Sequence, residues 1–302
     1  MSMSGFGGVL SARRTASSRR SATSRLENST LLEVRLLMSK PQRLCIFCDG
    51  KPVTKEHIWS EWTRDLIGRP SARSHLNIVS KNLDRSIIAA RRTNGGLDTA
   101  KIKVVCGSCN NGWMSRLDTG VKNEASALIT GDSAHIERNQ QQLLARWLIM
   151  KMMVTEHSKG MSVVSSKEDR SAIMGGGWPA NHLWSLWLGT QGANSRTRSY
   201  VRHYLPLQQS FQAAANDLGI KASTPEHFKK DGQIFVFRIG RMIVVATCFD
   251  RVVKFNLKQP SVPCFLRLFP SDSDMMSWPL DRQLSEAEIA LLESSAAPFL
   301  RK

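Results

Sequence analysis

Two cysteine pairs constrain the fold of this chain more than any other feature. Cys45 and Cys48 form one C-x-x-C motif, and Cys106 and Cys109 form a second. Four thiolates are the number that a tetrahedral structural Zn²⁺ requires, and the two-residue gap lets both sulfurs of a pair reach one ion at about 2.3 Å. The sequence therefore predicts a structural zinc site. Two disulfides or four free core thiols are the alternatives, but disulfides need an oxidising compartment and no export signal is visible.

The charge of the chain favours a polyanionic partner. Its 302 residues include 42 basic and 25 acidic side chains, which gives a net charge of +17. Such an excess raises the local concentration of polyanions, so the sequence predicts a nucleic-acid partner. A basic surface that is merely solvated is the alternative.

The first 40 residues differ in composition from the rest of the chain. They contain Arg13-Arg14, Arg19-Arg20 and many serines, but they lack the apolar core of a signal peptide. We expect residues 1–40 to form a disordered basic leader, with an organellar transit peptide or an over-extended translation start as the alternatives. No run approaches 18 apolar residues, so the sequence predicts a cytoplasmic protein without a membrane span.

The remaining residues suggest two domains, 41–130 and 136–302. In the first, the spacing of Ile58, Trp62 and Ile67 predicts a helix within 52–67, because these apolar positions recur at helical intervals. Asn94-Gly95-Gly96 predicts a hairpin turn between two β-prone runs, the second of which delivers Cys106. A further helix is expected from Gly112 onward.

The second domain is predicted to be α+β with a mainly antiparallel sheet. A largely buried helix is expected over 140–156, where polar residues are few, and a final helix over 285–296 begins with the capping box Ser285-x-x-Glu288. Strands are expected at 182–188, 200–205, 234–239, 242–249, 252–257 and 264–269. The role of this domain is open, and so is a homo-oligomer or a protein partner that binds through it.

Three residues beside the cysteines have the chemistry of a hydrolytic site. Glu56 and His57 follow the first pair and Asn110 follows the second, so a metal that joins the pairs would bring them together. A carboxylate and an amide oxygen suit Mg²⁺ or Mn²⁺, and a neutral imidazole can take a proton from water. Glu56 and His57 would point to opposite faces of a regular strand, so they can share a site only at a strand end or a bend.

These motifs together resemble a known family. Cys-x-x-Cys, Glu-His-Ile-Trp and Val-Val-Cys-x-x-Cys-Asn-Asn-Gly-Trp are similar to the motifs of the zinc-containing HNH, or ββα-metal, endonucleases over residues 43–120. The resemblance implies an HNH-like domain within 41–130 that hydrolyses DNA phosphodiester bonds. It assigns the general base to His57, the catalytic Mg²⁺ or Mn²⁺ ligands to Glu56 and Asn110, and the structural Zn²⁺ to the four cysteines.

The chain departs from the family pattern at three positions, which leave a second interpretation open. The family's proline after the histidine falls at Ser60. The family's middle asparagine falls at Lys101, and the lysine that often follows the second motif is Trp113. A non-catalytic zinc module that binds nucleic acid is therefore the alternative function. A structural protein in which the metal only organises the fold is the third.

Overall fold

The computed structural model describes residues 43–68, 74–80, 87–94, 100–158, 162–192, 198–206, 231–250 and 264–294. For 74–80 and 87–94 it describes the backbone and its strand pairing. The predicted leader, 1–40, and the predicted strand 252–257 lie outside these ranges. Leu44–Lys302 forms one compact unit, and the predicted boundary between residues 130 and 136 lies within it.

The described strands and helices alternate irregularly along the chain, as is usual in α+β proteins. The strands are β1 (Val53–His57), β2 (Ser74–Ser80), β3 (Ile87–Asn94), β4 (Lys101–Cys106), β5 (Ala134–Glu137), β6 (His182–Gln191), β7 (Arg198–Leu205), β8 (Gly232–Ile239), β9 (Met242–Asp250), β10 (Leu266–Phe269), β11 (Met275–Trp278) and β12 (Gln283–Leu284). The α-helices are α1 (Thr63–Ile67), α2 (Gly107–Cys109), α3 (Ser115–Gly120), α4 (Lys122–Thr130), α5 (Arg138–Glu156), α6 (Lys167–Met174) and α7 (Glu286–Ser294). A π-helical turn, Asn110–Met114, joins α2 to α3. None of the described helices is long and apolar enough to cross a membrane.

The described strands form one large sheet and two short ribbons. The large sheet has the order β10-β6-β9-β8-β7-β2-β3, and β12 also pairs with β6. Only the β2–β7 and β6–β12 pairs are parallel among the described strand pairs. Strand β1 pairs antiparallel with β4, and β5 with β11. The predicted α+β class with a mainly antiparallel sheet is therefore confirmed.

Alternating side chains of the sheet divide its core into two layers. Phe235 and Phe237 of β8 belong to one apolar cluster, together with Trp147 of α5 and Phe47 of the first C-x-x-C motif. The intervening residues of β8, Ile234 and Val236, belong to a second cluster with Ile289 and Leu292 of α7. Because successive side chains of a strand point to opposite faces, α5 and the cysteine region cover one face while α7 covers the other.

Several predicted elements are confirmed, with ends that differ by a few residues. The buried helix expected over 140–156 is α5, and five of the predicted strands are β6, β7, β8, β9 and β10. The capping box is present before α7: the Ser285 N–H donates to Glu288 Oε2 at 2.8 Å, and the Glu288 N–H donates to Ser285 Oγ at 3.3 Å.

Two predictions for the first domain are confirmed only in part. The segment 52–67 is not one helix: it begins as strand β1, and only its last five residues are helical in α1. The strand that delivers Cys106 is β4 as predicted, but its partner is β1 rather than the run before Asn94-Gly95-Gly96. That earlier run is β3, which pairs with β2 at the end of the large sheet.

Two histidines, the buried His203 and the half-buried His157, are expected to make the fold sensitive to acid. His203 in β7 is fully buried, and its Nε2 lies 3.3 Å from the carbonyl oxygen of Leu292 in α7. Burial lowers the pKa of His203 to about 4. It also lowers the pKa of His157 to about 4, and the positive charges of Arg170 and Arg202 act in the same direction.

We predict that the free energy of unfolding falls as the pH falls from about 6.5 to 4. Both rings stay neutral in the folded protein while they bind protons in the unfolded chain, so each contributes roughly 3 kcal/mol that is fully present above pH 6.5 and lost by pH 4. Urea unfolding of wild type and His203→Gln at several pH values measures this. The variant should show a shallower loss than wild type, whereas His135→Gln, at an exposed histidine of β5, should not. Equal slopes for wild type and His203→Gln would contradict the prediction.

Candidate functional site

The four cysteines of the two C-x-x-C motifs meet at one point. The sulfurs of Cys45, Cys48, Cys106 and Cys109 all lie within 4.8 Å of one another. The Sγ of Cys48 is 3.5 Å from that of Cys106 and 3.4 Å from that of Cys109. Sulfurs bound to one tetrahedral ion lie roughly 3.8 Å apart, as bonds of about 2.3 Å require. The four thiols can therefore hold a metal such as zinc.

Backbone turns shape the first half of this thiol cluster. The Cys45 N–H donates to the Gly50 carbonyl at 3.1 Å and the Asp49 N–H donates to the Cys45 carbonyl at 3.0 Å, so the chain folds back after the first pair. The Gly50 N–H points at Cys48 Sγ, 3.4 Å away. A methyl group at Gly50 would lie 3.1 Å from Cys48 Sγ and 3.3 Å from Cys106 Sγ. Glycine is the residue that leaves room for the sulfurs here.

The second half of the cluster comes from β4 and the turn that follows it. Cys106 ends β4, and its sulfur accepts a hydrogen bond from the Cys109 N–H at 3.5 Å. Burial alone would raise the pKa of Cys106, but this N–H and the neighbouring thiols lower it to about 7. Burial and the same neighbours raise the pKa of Cys109 well above its usual range. Closely packed thiols cannot all ionise unless a cation compensates their charge, and this is what a bound metal provides.

Helix α6 contacts the first C-x-x-C motif and the residue that follows it. Arg170 Nε donates to the Ile46 carbonyl at 2.8 Å, and Lys167 forms an ion pair with Asp49. The sulfur of Met174 lies 4.0 Å from Cys109 Sγ. The thiol cluster is therefore joined to a helix that lies more than 50 residues further along the chain.

A cavity of about 240 Å³ lies beside the thiol cluster, and the three predicted site residues Glu56, His57 and Asn110 all line it. His57 is the last residue of β1, which is the position that lets it share a site with Glu56. The cavity wall also includes Lys55, Ser60, Glu61, Trp62, Asp118 and Lys151.

Glu56 does not face the cavity as a free carboxylate. Its Oε1 lies 2.7 Å from the ammonium nitrogen of Lys151, which comes from the middle of α5. Both residues are buried, with 8% and 3% of their surfaces exposed. The same ammonium lies 3.4 Å from the His57 carbonyl oxygen and 3.8 Å from Asp118 Oδ1. Lys151 is thus the cation that lies beside the carboxylates of Glu56 and Asp118 in the cavity wall.

Asp118 is held by three neutral donors. The indole N–H groups of Trp62 and Trp147 donate to its two carboxylate oxygens at 3.0 and 2.8 Å, and the Ser60 hydroxyl donates as well. Trp59 is not part of the cavity wall: it is buried and packs edge-on against Phe237, with ring centroids 5.2 Å apart. The aromatic residues here fix the acidic side chain rather than offer an exposed platform for bases.

The surroundings of His57 favour a neutral ring. Burial lowers its pKa, the positive charges of Lys101 and Arg64 lower it further, and Glu61 opposes them. Its Nε2 lies 2.7 Å from Glu61 Oε1, while Nδ1 has no hydrogen-bond partner among the described residues. A neutral imidazole can accept a proton at a nitrogen that carries none.

Asn110 is tied to β1 through its side chain. Its Nδ2 donates to Thr54 Oγ1 at 3.4 Å, and Thr54 in turn donates to the Val105 carbonyl at 3.0 Å. Two of the three positions where the chain departs from the HNH pattern, Lys101 and Trp113, lie apart from each other. Lys101 is opposite His57 in the β1–β4 ribbon, and Trp113 packs edge-on against Phe47 beside the thiol cluster.

Sequence reasoning missed Asp118 and Lys151, although each left a signal. Asn110, Met114 and Asp118 are spaced by four residues, which places them on one face of a helical segment. Lys151 is a single charged residue within the apolar run of α5, from Trp147 to Val154. A lone charge in a buried helix needs a partner of opposite sign.

No protein-family model, curated protein or solved structure matches this chain. Its function is therefore inferred from the geometry and chemistry of the site.

We predict that Gly50→Ala weakens metal retention at the thiol cluster while Gly107→Ala does not. The added methyl group at Gly50 forces the Cys48 or Cys106 sulfur to move, whereas a methyl group at Gly107 would meet only the Thr54 methyl carbon, at an ordinary 3.9 Å. Zinc content after dialysis against graded chelator concentrations measures the difference. Equal zinc retention by the two variants would show that the close approach at Gly50 does not matter.

Proposed function

We propose that this protein is an HNH-type endonuclease that hydrolyses DNA phosphodiester bonds at the cavity beside the thiol cluster. The observation that carries the proposal is the convergence of Glu56, His57 and Asn110 on one cavity. These are the residues that the family resemblance selects, and they come from segments more than 50 residues apart. A carboxylate, an imidazole and an amide around one cavity are the groups that metal-assisted phosphodiester hydrolysis needs.

The order of elements around the cavity agrees with the proposal. Antiparallel strands β1 and β4 are followed by the helical turns that carry Asn110 and Asp118, which is the ββα order that the family name describes. In this proposal Zn²⁺ occupies the four-thiol cluster and holds the start of β1 to the end of β4. Its role is structural, because all four positions of a tetrahedral ion are taken by sulfur and no position is left open for substrate.

One face of the β1–β4 ribbon beside the cavity suits a polyanion. Lys55 and Lys103 are exposed and lie opposite each other in the β1–β4 ribbon, so their ammonium groups share one face. Neither has an ion-pair partner among the residues that the structure describes. Such lysines can contact backbone phosphates and position a strand without reading its sequence.

His57 would act as the general base. Its ring is neutral near pH 7 because its pKa is lowered, so it can take a proton from a water molecule that attacks the phosphorus in line with the leaving 3′ oxygen. Glu61 beside Nε2 would stabilise the protonated ring that forms. Burial of Glu56 and the Asn110–Thr54 contact hold the remaining polar groups in place before substrate binds.

The donor set of the cavity suits a hard divalent cation. Glu56 and Asp118 supply carboxylate oxygens and Asn110 supplies an amide, although Lys151 contacts Glu56 and has to be displaced from it for a metal to bind there. Mg²⁺ or Mn²⁺ held by Glu56 and Asn110 would stabilise the charge on the leaving oxygen.

A non-catalytic nucleic-acid-binding protein is the second candidate. The Glu56–Lys151 ion pair favours it, because the proposed metal ligand is already neutralised by a side chain. The two functions separate in one comparison: both retain DNA, but only the endonuclease nicks a plasmid when Mg²⁺ or Mn²⁺ is added.

We predict that His57→Ala lowers the initial rate of plasmid nicking by about 10²–10⁴-fold, the usual contribution of a general base. Zinc content and DNA retention should stay close to those of wild type, because the ring contacts neither the thiol cluster nor the exposed lysines. His135→Ala, at an exposed histidine of β5, should nick at the wild-type rate. Wild-type nicking by His57→Ala would remove the proposed base, and no nicking by wild type in either metal would favour the second candidate.

We also predict that Lys55→Ala/Lys103→Ala weakens DNA binding and flattens its salt dependence. If both ammonium groups contact phosphates, the slope of log Kd against log salt concentration should decrease by about 2. Lys122→Ala, at an exposed position of α4, is the matched control and should keep the wild-type slope. An unchanged slope in the double variant would place the DNA on a different surface.

A further inference from the structure

The ammonium group of Lys151 has the surroundings of a bound cation. Three oxygen atoms lie around its nitrogen: Glu56 Oε1 at 2.7 Å, the His57 carbonyl at 3.4 Å and Asp118 Oδ1 at 3.8 Å. Carboxylate and carbonyl oxygens are also the ligands that Mg²⁺ and Mn²⁺ prefer. The lysine reaches this point from α5, whereas two of the three oxygens belong to consecutive residues of β1.

The charges do not balance as in an ordinary structural ion pair. Two carboxylates face one ammonium group, so the three side chains together carry one negative charge. The Ser60, Trp62 and Trp147 donors to Asp118 are neutral and leave this charge in place. A divalent ion added beside the lysine would change the sum to one positive charge. A phosphodiester added with that ion would return it to zero.

We propose that Lys151 occupies the cation position beside Glu56 and competes with the divalent metal for this carboxylate. The inference rests on the proposed function, in that the metal is the one the endonuclease would use. Lys151 is then a positioning residue: it holds Glu56 in place while the cavity is empty of substrate. Lys151 separates from Glu56 when the oxygen of a nucleic-acid phosphate attracts its ammonium group, so the metal and the phosphate bind together.

The competition is tested by Mn²⁺ binding to the zinc-loaded full-length protein, followed by electron paramagnetic resonance of the free ion. Lys151→Met keeps the length of the side chain and removes its charge. It should bind Mn²⁺ more tightly than wild type by about tenfold or more, the usual scale of coupling between two linked binding events. Glu56→Gln in the Lys151→Met background should abolish the gain. Lys122→Met should bind Mn²⁺ as wild type does.

Melting temperature gives a second readout that does not depend on activity. Lys151→Met leaves two carboxylates without their cation, so its melting temperature should be low without metal and should rise with Mn²⁺, while that of wild type should change little. If Lys151→Met does not fold in either condition, Lys151→Gln takes its place, because its amide still donates to Glu56 but carries no charge.

The outcomes separate this inference from the endonuclease proposal. No gain in Mn²⁺ affinity for either Lys151 variant, or a gain that survives Glu56→Gln, overturns the competition whatever the nicking assay shows. A gain in affinity without nicking by wild type supports the competition and overturns the endonuclease. Nicking by wild type together with an unchanged Mn²⁺ affinity in both variants supports the endonuclease and overturns the competition.

Discussion

The cluster of four thiols fixes the part of the chain on which the proposed site depends. It joins the turn before β1 to the end of β4, and the ribbon register continues this contact, with Val53 opposite Cys106 and His57 opposite Lys101. The segment between the two strands contributes β2 and β3 to the large sheet rather than a local hairpin. Closing such a long loop costs conformational entropy, and metal–sulfur bonds are one of the few local interactions strong enough to offset it.

The sequence predicts elements well where a pattern is local. Helix α5 is recognisable because a run of apolar side chains has few polar interruptions, and the capping box before α7 is a contact between residues three apart. The partner of β4 was predicted wrongly because strand pairing depends on distant contacts. The cysteines hold the information all the same: one pair precedes β1 and the other ends β4, so a shared metal requires these two strands to lie side by side.

The residues of the candidate site also differ in how well the sequence predicts them. Glu56, His57 and Asn110 could be predicted because each is adjacent to a recognisable motif and β1 happens to end at His57. Asp118 and Lys151 left weaker signals, and their roles follow only from the packing of α5 against the β1–β4 ribbon and the residues after β1. The residues that follow β1 pack on α5 through aromatic rings: Trp59 and Trp62 both contact Trp147, with ring centroids 6.2 Å apart in each pair. A pattern of apolar residues predicts that such a contact exists but not which charged side chains it brings together.

Two separate constraints therefore assemble the cavity. The thiol cluster positions Asn110 directly, because Cys109 precedes it in the chain, and the Asn110–Thr54–Val105 hydrogen bonds connect it to β1 and β4. The apolar core positions Lys151, which places a buried cation against Glu56. Removing one partner of a buried ion pair usually destabilises a protein by about 3–5 kcal/mol, while replacing the whole pair with apolar residues is often neutral. Stability alone therefore does not require an ion pair at this position, which agrees with the proposed role of Lys151 in the wall of a cavity that also holds His57 and Asn110.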